Sequence, residues 1–84
     1  MLTPKQWRER SVCVLNVIEK SLDDIGVPPT VSEIGAHLRM SKATVHEALT
    51  HMKRDGLVSW DEHKARTLTV TDDGDRLYEE ARHG

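Results

Sequence analysis

The sequence predicts a mainly α-helical fold that carries one small β-hairpin. Over most of the 84 residues, apolar side chains recur at the 3.6-residue spacing of helices. Hydroxyl residues precede these segments in the arrangement that starts a helix. Two short segments near the end of the chain alternate with period two around a polar stretch, which is typical of a hairpin. Four helices and one hairpin are therefore expected, and each is justified below in chain order.

The first helix is predicted over residues 4–25. Thr3-Pro4-Lys5-Gln6 forms a capping box, with proline at the first helical position. Gly26 supplies a left-handed stop, and Pro28-Pro29 prevents the helix from continuing. The apolar stripe that this helix would bury consists of Trp7, Val14, Leu15, Ile18, Leu22 and Ile25.

The second and third helices follow each other closely. Thr30-Val31-Ser32-Glu33 is a second capping box and begins a helix over residues 31–38. Ser41 begins a third helix over residues 42–55, which Gly56 ends. Only two or three residues join these helices, the length found in a helix-turn-helix. The buried side of the third helix is expected to consist of Val45, Ala48, Leu49 and Met52.

The hairpin and a last helix complete the chain. Two segments within residues 57–70 alternate in polarity, and we call this hairpin the wing. Thr71-Asp72-Asp73-Gly74 then caps a terminal helix over residues 72–82. Residues 1–84 are thus predicted to form a single winged helix-turn-helix domain, with a three-helix core, a wing and a C-terminal helix.

Composition argues against several classes of protein. A single cysteine, Cys13, cannot form an internal disulfide, which indicates a reducing compartment, and we expect it to be a partly buried thiol. No apolar run approaches the length of about 20 residues that spans a membrane, and the first residues lack the apolar core of a secretory signal. No glycine-rich phosphate loop, nucleophile elbow or ligand-spaced Cys/His pair is visible. The sequence therefore predicts no enzymatic activity, no metal and no cofactor.

Charge is distributed unevenly along the chain. The formal net charge is −2, which argues against a uniformly basic protein. Residues 37–66, however, contain six Lys and Arg against four Asp and Glu, and also four of the five histidines. Residues 71–84 contain five acids and two arginines. Because nucleic-acid affinity comes from local neutralisation of phosphates, the third helix and the wing form the candidate DNA-binding surface.

The polar side of the third helix is suited to the major groove, where the first turns of a helix reach base edges. Glu47 can accept a hydrogen bond from a cytosine amino group, and His46 can donate one to guanine. Lys42 is suited to a phosphate, and the start of a helix attracts anions. Ordinary solvated polar faces have the same residue types, so this assignment also depends on the element order. The candidate DNA-binding residues are Thr30, Ser32, Ser41, Lys42, Ala43, Thr44, His46, Glu47, Thr50, Lys53, Arg54, His63, Lys64 and Arg66.

The segment Gly26-Val27-Pro28-Pro29-Thr30-Val31-Ser32-Glu33-Ile34 resembles the G-x-P-P-T-x-x-E-I signature of the LexA repressor family's DNA-binding domain, and the likeness extends over residues 12–70. Leu68-Thr69-Val70-Thr71-Asp72-Asp73-Gly74 is similar to the start of the helix after the wing in MarR-like regulators. The resemblance implies a cytoplasmic bacterial, archaeal or phage transcriptional regulator, a repressor, that binds double-stranded DNA. The positions matching the operator-contacting helix are Ser41, Ala43, Thr44, His46 and Glu47.

Several residues depart from the family pattern. Arg39 occupies a turn position where glycine is usual, and Val31 replaces a basic residue. The family's protease domain, which also dimerises it, is not expected here, so self-cleavage and the DNA-damage response are not implied. A homodimer is expected through the first helix, the C-terminal helix or both, although Trp7 and Leu77 can instead close the monomer's own core. The candidate contacts are Leu2, Trp7, Val12, Cys13, Val17, Leu77, Tyr78 and Ala81.

Two other functions are compatible with the same fold. A protein-interaction module would use the winged helix only as a scaffold, as the low net basicity and the acidic C-terminal helix suggest. A phage-type architectural factor would bind and bend the duplex.

Overall fold

The computed structural model describes residues 2–64 and 66–83. In chain order its elements are α1 (Pro4–Ile25), α2 (Val31–Leu38), α3 (Lys42–Arg54), β1 (Val58–Ser59), β2 (Thr69–Val70) and α4 (Asp72–His83). The two strands pair antiparallel, with Val58 opposite Val70. The predicted fold class, a winged helix-turn-helix with a C-terminal helix, is confirmed.

Reciprocal hydrogen bonds begin the first two helices. At α1 the Gln6 backbone N–H donates to the Thr3 hydroxyl at 3.2 Å, and the Thr3 N–H donates to the Gln6 side chain at 2.9 Å. At α2 the Glu33 N–H donates to the Thr30 hydroxyl at 3.1 Å, and the Thr30 N–H donates to the Glu33 carboxylate at 2.8 Å. Each box satisfies backbone donors that a helix end leaves free, so both starts are defined by local sequence.

The turn between α2 and α3 is unusually tight. Arg39 has a φ of 57°, a left-handed conformation that glycine adopts most easily. The Met40 N–H donates to the Gly35 carbonyl at 2.9 Å, which closes the turn. A Cβ atom on Gly35 would lie 2.6 Å from the Met40 carbonyl oxygen, so the turn requires glycine within α2. Arg39 therefore stands where a turn glycine would be easier, as the departure from the family pattern indicates.

A single apolar core joins the three helices to the wing. The described core residues are Val14, Leu15, Val17, Ile18, Ile34, Val45, Ala48, Leu49, Met52 and Val58. Val58 was not expected among them; it faces inward from β1, and the neighbouring Leu57 is only partly buried. The Trp7 ring also closes one end of the core by stacking on His51, with 3.9 Å between ring centroids.

Two expectations about α1 are wrong. Ile25 is 64% exposed, because α1 has 22 residues whereas α2 has 8 and α3 has 13, so the shorter helices cannot cover its full length. Cys13 is exposed and not partly buried. Val17, a candidate homodimer contact, is buried in the monomer, since it lies three residues after the core residue Val14 and therefore on the same side of the helix.

A single residue, Thr71, joins β2 to α4. Thr71 caps α4, because its hydroxyl accepts the Gly74 N–H at 3.1 Å and donates to the Gly56 carbonyl. The Thr71 N–H donates to the Leu57 carbonyl at 3.0 Å. A Cβ atom on the buried Gly74 would overlap the Leu57 carbonyl oxygen, so the glycine allows α4 to pack directly on the chain that enters β1.

The wing strands are shorter than the alternating pattern suggests. Each has two residues, because the chain beyond β1 is fixed by side-chain bonds instead of ladder pairs. The Asp61 N–H donates to the Thr67 hydroxyl at 2.8 Å, and that hydroxyl donates to the Asp61 carbonyl at 3.1 Å. Within residues 2–64 and 66–83, no helix combines the length and apolar character needed to cross a membrane.

Candidate nucleic-acid interface

Helix α3 turns its polar side to solvent. Val45, Ala48, Leu49 and Met52 are buried against the core, whereas His46, Glu47 and Thr50 between them are exposed, because successive residues rotate by about 100° around a helix. The exposed members of the candidate set on this helix and its cap are Ser41, Lys42, Ala43, His46, Glu47, Thr50, Lys53 and Arg54. The geometry on which the sequence argument depends is therefore present.

The start of α3 is organised by two hydroxyl groups. Ser41 is the N-cap, and its oxygen accepts the Thr44 backbone N–H at 3.1 Å. The Ser41 hydroxyl also donates to the Thr44 hydroxyl at 2.9 Å. Thr44 is consequently half-buried, with its hydroxyl directed to the cap. Ser41 and Thr44 thus define the end of the helix that attracts anions.

The candidate residues at the start of α2 differ in availability. Thr30 is half-buried, and its hydroxyl accepts the Glu33 backbone N–H. Thr30 therefore has a defined structural role in the capping box. Ser32, two residues later in the first turn, is exposed to solvent.

The tip of the wing carries His63 and Lys64 in a turn that Asp61 organises. The His63 N–H donates to the Asp61 carboxylate at 2.9 Å, and the Lys64 N–H donates to the Asp61 carbonyl at 3.1 Å. Both side chains are exposed. Asp61, which as a negative charge argues against phosphate binding, therefore has a structural role in presenting two basic residues.

Two candidate cations are engaged within the protein. The Lys53 ammonium lies 4.3 Å from the centroid of the Trp60 ring and 3.8 Å from the Glu62 carboxylate. The Arg66 guanidinium donates to the Pro28 carbonyl at 3.0 Å and to the Glu33 carboxylate at 3.1 Å. Both residues tie the wing to the helices. Sequence reasoning missed the contact of Arg66 with Pro28 because the two residues are 38 positions apart.

Three other candidate cations, unlike Lys53 and Arg66, have no carboxylate partner among the described residues. Across the part of the chain that the structure describes, no carboxylate lies within 4.0 Å of the charged groups of Lys42, Arg54 or Lys64. Lys42 lies at the start of α3, Arg54 at its end and Lys64 at the wing tip. These positions spread positive charge along the whole exposed side of the interface.

Glu33 is the charged partner at the base of the wing. The Thr30 backbone N–H lowers the pKa of its carboxyl group below the ordinary value, and Arg66 lowers this pKa further. Both groups stabilise the ionised carboxylate. Glu33 therefore stays charged at neutral pH and holds Arg66 at this position.

A cleft of about 300 Å³ separates α3 from the wing. It brings together candidate residues from three parts of the sequence, namely Thr30, His46, Lys64 and Arg66. Sequence reasoning missed Trp60 here, although its spacing of two from the inward-facing Val58 is a signal that both lie on one face. The lining residues are Pro29, Thr30, Val31, His46, Leu49, Trp60, Lys64, Arg66, Thr67 and Leu68.

The chain is similar to known DNA-binding proteins. Residues 2–67 match the sequence model of the LexA DNA binding domain. The LexA repressor of Lactobacillus helveticus is 41% identical over 74 residues, which cover 87% of this chain and 36% of the repressor. The LexA repressor of Brevibacillus brevis is 35% identical over 69 residues, which cover 81% of this chain and 33% of the repressor. The chain thus spans about a third of the length of these repressors.

The fold has a match among solved structures. A MarR family protein from Bacillus stearothermophilus superposes with a TM-score of 0.67 and 25% sequence identity. The superposition covers 98% of this chain and 52% of that protein. The similarity therefore extends through α4, beyond the residues that match the LexA domain.

Proposed function

The chain belongs to the LexA DNA-binding domain family, and from this premise we propose that it binds double-stranded DNA sequence-specifically and represses transcription. The observation that carries the proposal is the outward polar side of α3, supported from beneath by four buried apolar residues. A face of this kind fits the major groove without unfolding any part of the domain.

The proposed mechanism divides the work between base edges and phosphates. The first turns of α3 lie in the major groove, where Thr44, His46 and Glu47 discriminate among bases. Lys42 and Arg54 neutralise phosphates at the two ends of the helix. His63 and Lys64 bring the wing tip onto the backbone or into the minor groove. Among the described residues, no carboxylate lies within 4.0 Å of the charged groups of Lys42, Arg54 or Lys64, which supports their assignment to phosphates.

A competition gel shift at two salt concentrations tests the proposal. Binding should weaken steeply as salt rises, and Lys42→Ala or Lys64→Ala should lower the affinity for all duplexes. His46→Ala should instead change the preference among sequences. Arg76→Ala is a matched control, because Arg76 is an exposed cation on α4, outside the proposed interface. Equal competition by every duplex, with no effect of these variants, would contradict the proposal.

We also propose that the chain acts as a homodimer through α1, α4 or both. A single module buries only about 600–1,000 Å² on DNA, so a second copy adds specificity. Val12, Cys13 and Ala81 line a shallow groove between the two helices, which supports this surface. Trp7 and Leu77 pack against the monomer's own core, which argues against their use in the dimer.

Analytical ultracentrifugation tests the dimer. The chain is expected to sediment as a dimer at tens of micromolar, either free or on DNA, and Ala81→Arg should prevent dimerisation. A monomer under both conditions would contradict the proposed dimer while leaving DNA binding open.

The proposed site of action is the cytoplasm.

The two alternative functions carry less support. Family membership favours DNA over a protein partner for the outward side of α3. An architectural role would be recognised by a large mobility change from bending in the same gel shift. The absence of enzymatic activity stays a prediction.

A further inference from the structure

The base of the wing combines an unfavourable backbone conformation with a long-range contact. Arg66 has a backbone φ of 55°, a conformation that residues with a Cβ atom rarely adopt. Its guanidinium reaches back along the sequence to Pro28 and Glu33, at the start of α2. A disfavoured backbone is retained where surrounding contacts determine it. At Arg66 the disfavoured backbone conformation thus coincides with two contacts of its side chain.

We propose that Arg66 and Glu33 form a clasp that sets the position of the wing relative to α2. In this proposal, which rests on the proposed DNA binding, Arg66 is a positioning residue and not a phosphate ligand. The clasp fixes the position of the Lys64 ammonium group when α3 and the wing bind the duplex. The proposal thereby changes the role that the sequence suggests for Arg66.

The chemistry of the clasp is more specific than that of an ordinary surface ion pair. One guanidinium nitrogen donates both to the Pro28 carbonyl at 3.0 Å and to Glu33 Oε1 at 3.1 Å. Glu33 Oε1 also accepts the Thr30 backbone N–H at 2.8 Å. The carboxylate is thus fixed by the capping box, so the freedom lost when the clasp forms is mainly that of the Arg66 side chain.

A second contact holds the opposite side of the wing. Lys53 of α3 lies over the Trp60 ring and beside Glu62. The wing is consequently attached to α2 through Arg66 and to α3 through Lys53. Because both attachments involve residues around the same cleft, loss of either should change the distance between the wing tip and α3.

An alternative role for Arg66 is direct phosphate binding. Its side chain is 41% exposed and that of Glu33 is 49% exposed, so DNA has access to both groups. Under this alternative, a phosphate would replace Glu33 as the partner of Arg66. The two roles give opposite signs for one substitution, and the test uses that difference.

Glu33→Gln is the decisive variant. Glutamine is also suited to the third position of a capping box, so the start of α2 is retained. If Glu33 were only an acid close to phosphates, its neutralisation would strengthen DNA binding. The clasp requires the reverse, a loss of about 3- to 10-fold, the size expected for one typical net hydrogen bond. Tighter or unchanged binding by Glu33→Gln would overturn the proposal.

The salt dependence of binding separates positioning from phosphate contact. Lys64→Met should reduce the slope of log affinity against log salt by about 0.9, the effect of one lost phosphate contact. Arg66→Met should lower affinity by a similar factor to Glu33→Gln but leave the slope unchanged. The double variant should bind no more weakly than either single variant, because both remove the same contact. A reduced slope for Arg66→Met would show a phosphate ligand and overturn the clasp.

A measurement without DNA keeps this test independent of the proposed function. Nuclear magnetic relaxation of the Lys64, Arg66 and Thr67 amides should show greater mobility in Arg66→Met and Glu33→Gln, while the α2 amides remain unchanged. Unchanged wing relaxation in both variants would overturn the clasp. Failure of the wild-type chain to bind any duplex, together with a loosened wing in the variants, would instead contradict the proposed function alone.

Discussion

Helix α3 and the wing, the two parts of the candidate interface, are held in place by different kinds of contact. Helix α3 is fixed by four buried apolar residues on its inner side. The wing has two-residue strands; Val58 of β1 joins the apolar core, and the chain beyond β1 is held by polar contacts of Asp61, Thr67 and Arg66. Substitutions beneath α3 should therefore affect folding, whereas substitutions of the polar residues of the wing should affect the position of the wing tip.

The largest expected effect is in the core beneath α3. Met52 is fully buried, so Met52→Ala should lower the free energy of unfolding by about 2–5 kcal/mol. Leu68→Ala in the wing, where the side chain is only half-buried, should cost clearly less. Urea denaturation of both variants measures the difference. Equal losses of unfolding free energy in the two variants would contradict the greater contribution of packing beneath α3.

A second effect concerns the junction that anchors the wing to α4. Helix propensity alone predicts that Gly74→Ala stabilises the protein. The overlap of a Cβ atom with the Leu57 carbonyl oxygen predicts the opposite, a loss of about 1–3 kcal/mol. Ala81→Gly, at an exposed position of α4, should follow propensity and cost about 1 kcal/mol. Thermal unfolding of the pair decides between the two, and a stabilised Gly74→Ala would refute the close packing.

A smaller effect compares the two arginines with positive φ. Arg39→Gly should raise the free energy of unfolding by about 0.5–1 kcal/mol, since glycine adopts a φ of 57° without a Cβ penalty. Arg66→Gly relieves a similar backbone conformation but removes the clasp, so no gain is expected. The same denaturation measurement on both variants tests this contrast. An equal gain at both positions would show that the contacts of Arg66 do not stabilise the wing.

The smallest effect is the pH dependence of the clasp. The lowered pKa of Glu33 means that its ionised form stabilises the fold. This contribution is present above the pKa of the unfolded chain and is lost as pH falls through the lower pKa of the folded state. The stability difference between wild type and Glu33→Gln should therefore shrink over that acidic window. A difference that stays constant with pH would contradict a charged clasp.

The features of the fold that could be predicted depend on residues that lie close together in the sequence. The caps at Thr30 and Ser41 and the inward side of α3 follow from spacing within one helix, because their partners lie three or four residues away. Arg39 was identified as unusual because it occupies a turn position where the family pattern has glycine. The fold class followed from the order of these elements.

Long-range packing determined what could not be predicted. The contact of Arg66 with Pro28 joins residues 38 positions apart, and no local pattern encodes it. The exposure of Ile25 depends on the lengths of neighbouring helices rather than on its own spacing. Candidate residues on α3 could therefore be read from periodicity, whereas the roles of Lys53 and Arg66 needed three-dimensional structure.

The direct join of β2 to α4 has a mechanical consequence. Thr71 is bonded to Gly56 and Leu57 on one side and caps α4 on the other, with no spare residue to absorb a rotation. A change in the direction of α4 is therefore expected to displace the end of β2 as well. The orientation of the hairpin is thus coupled to the packing of α4 through one residue, Thr71.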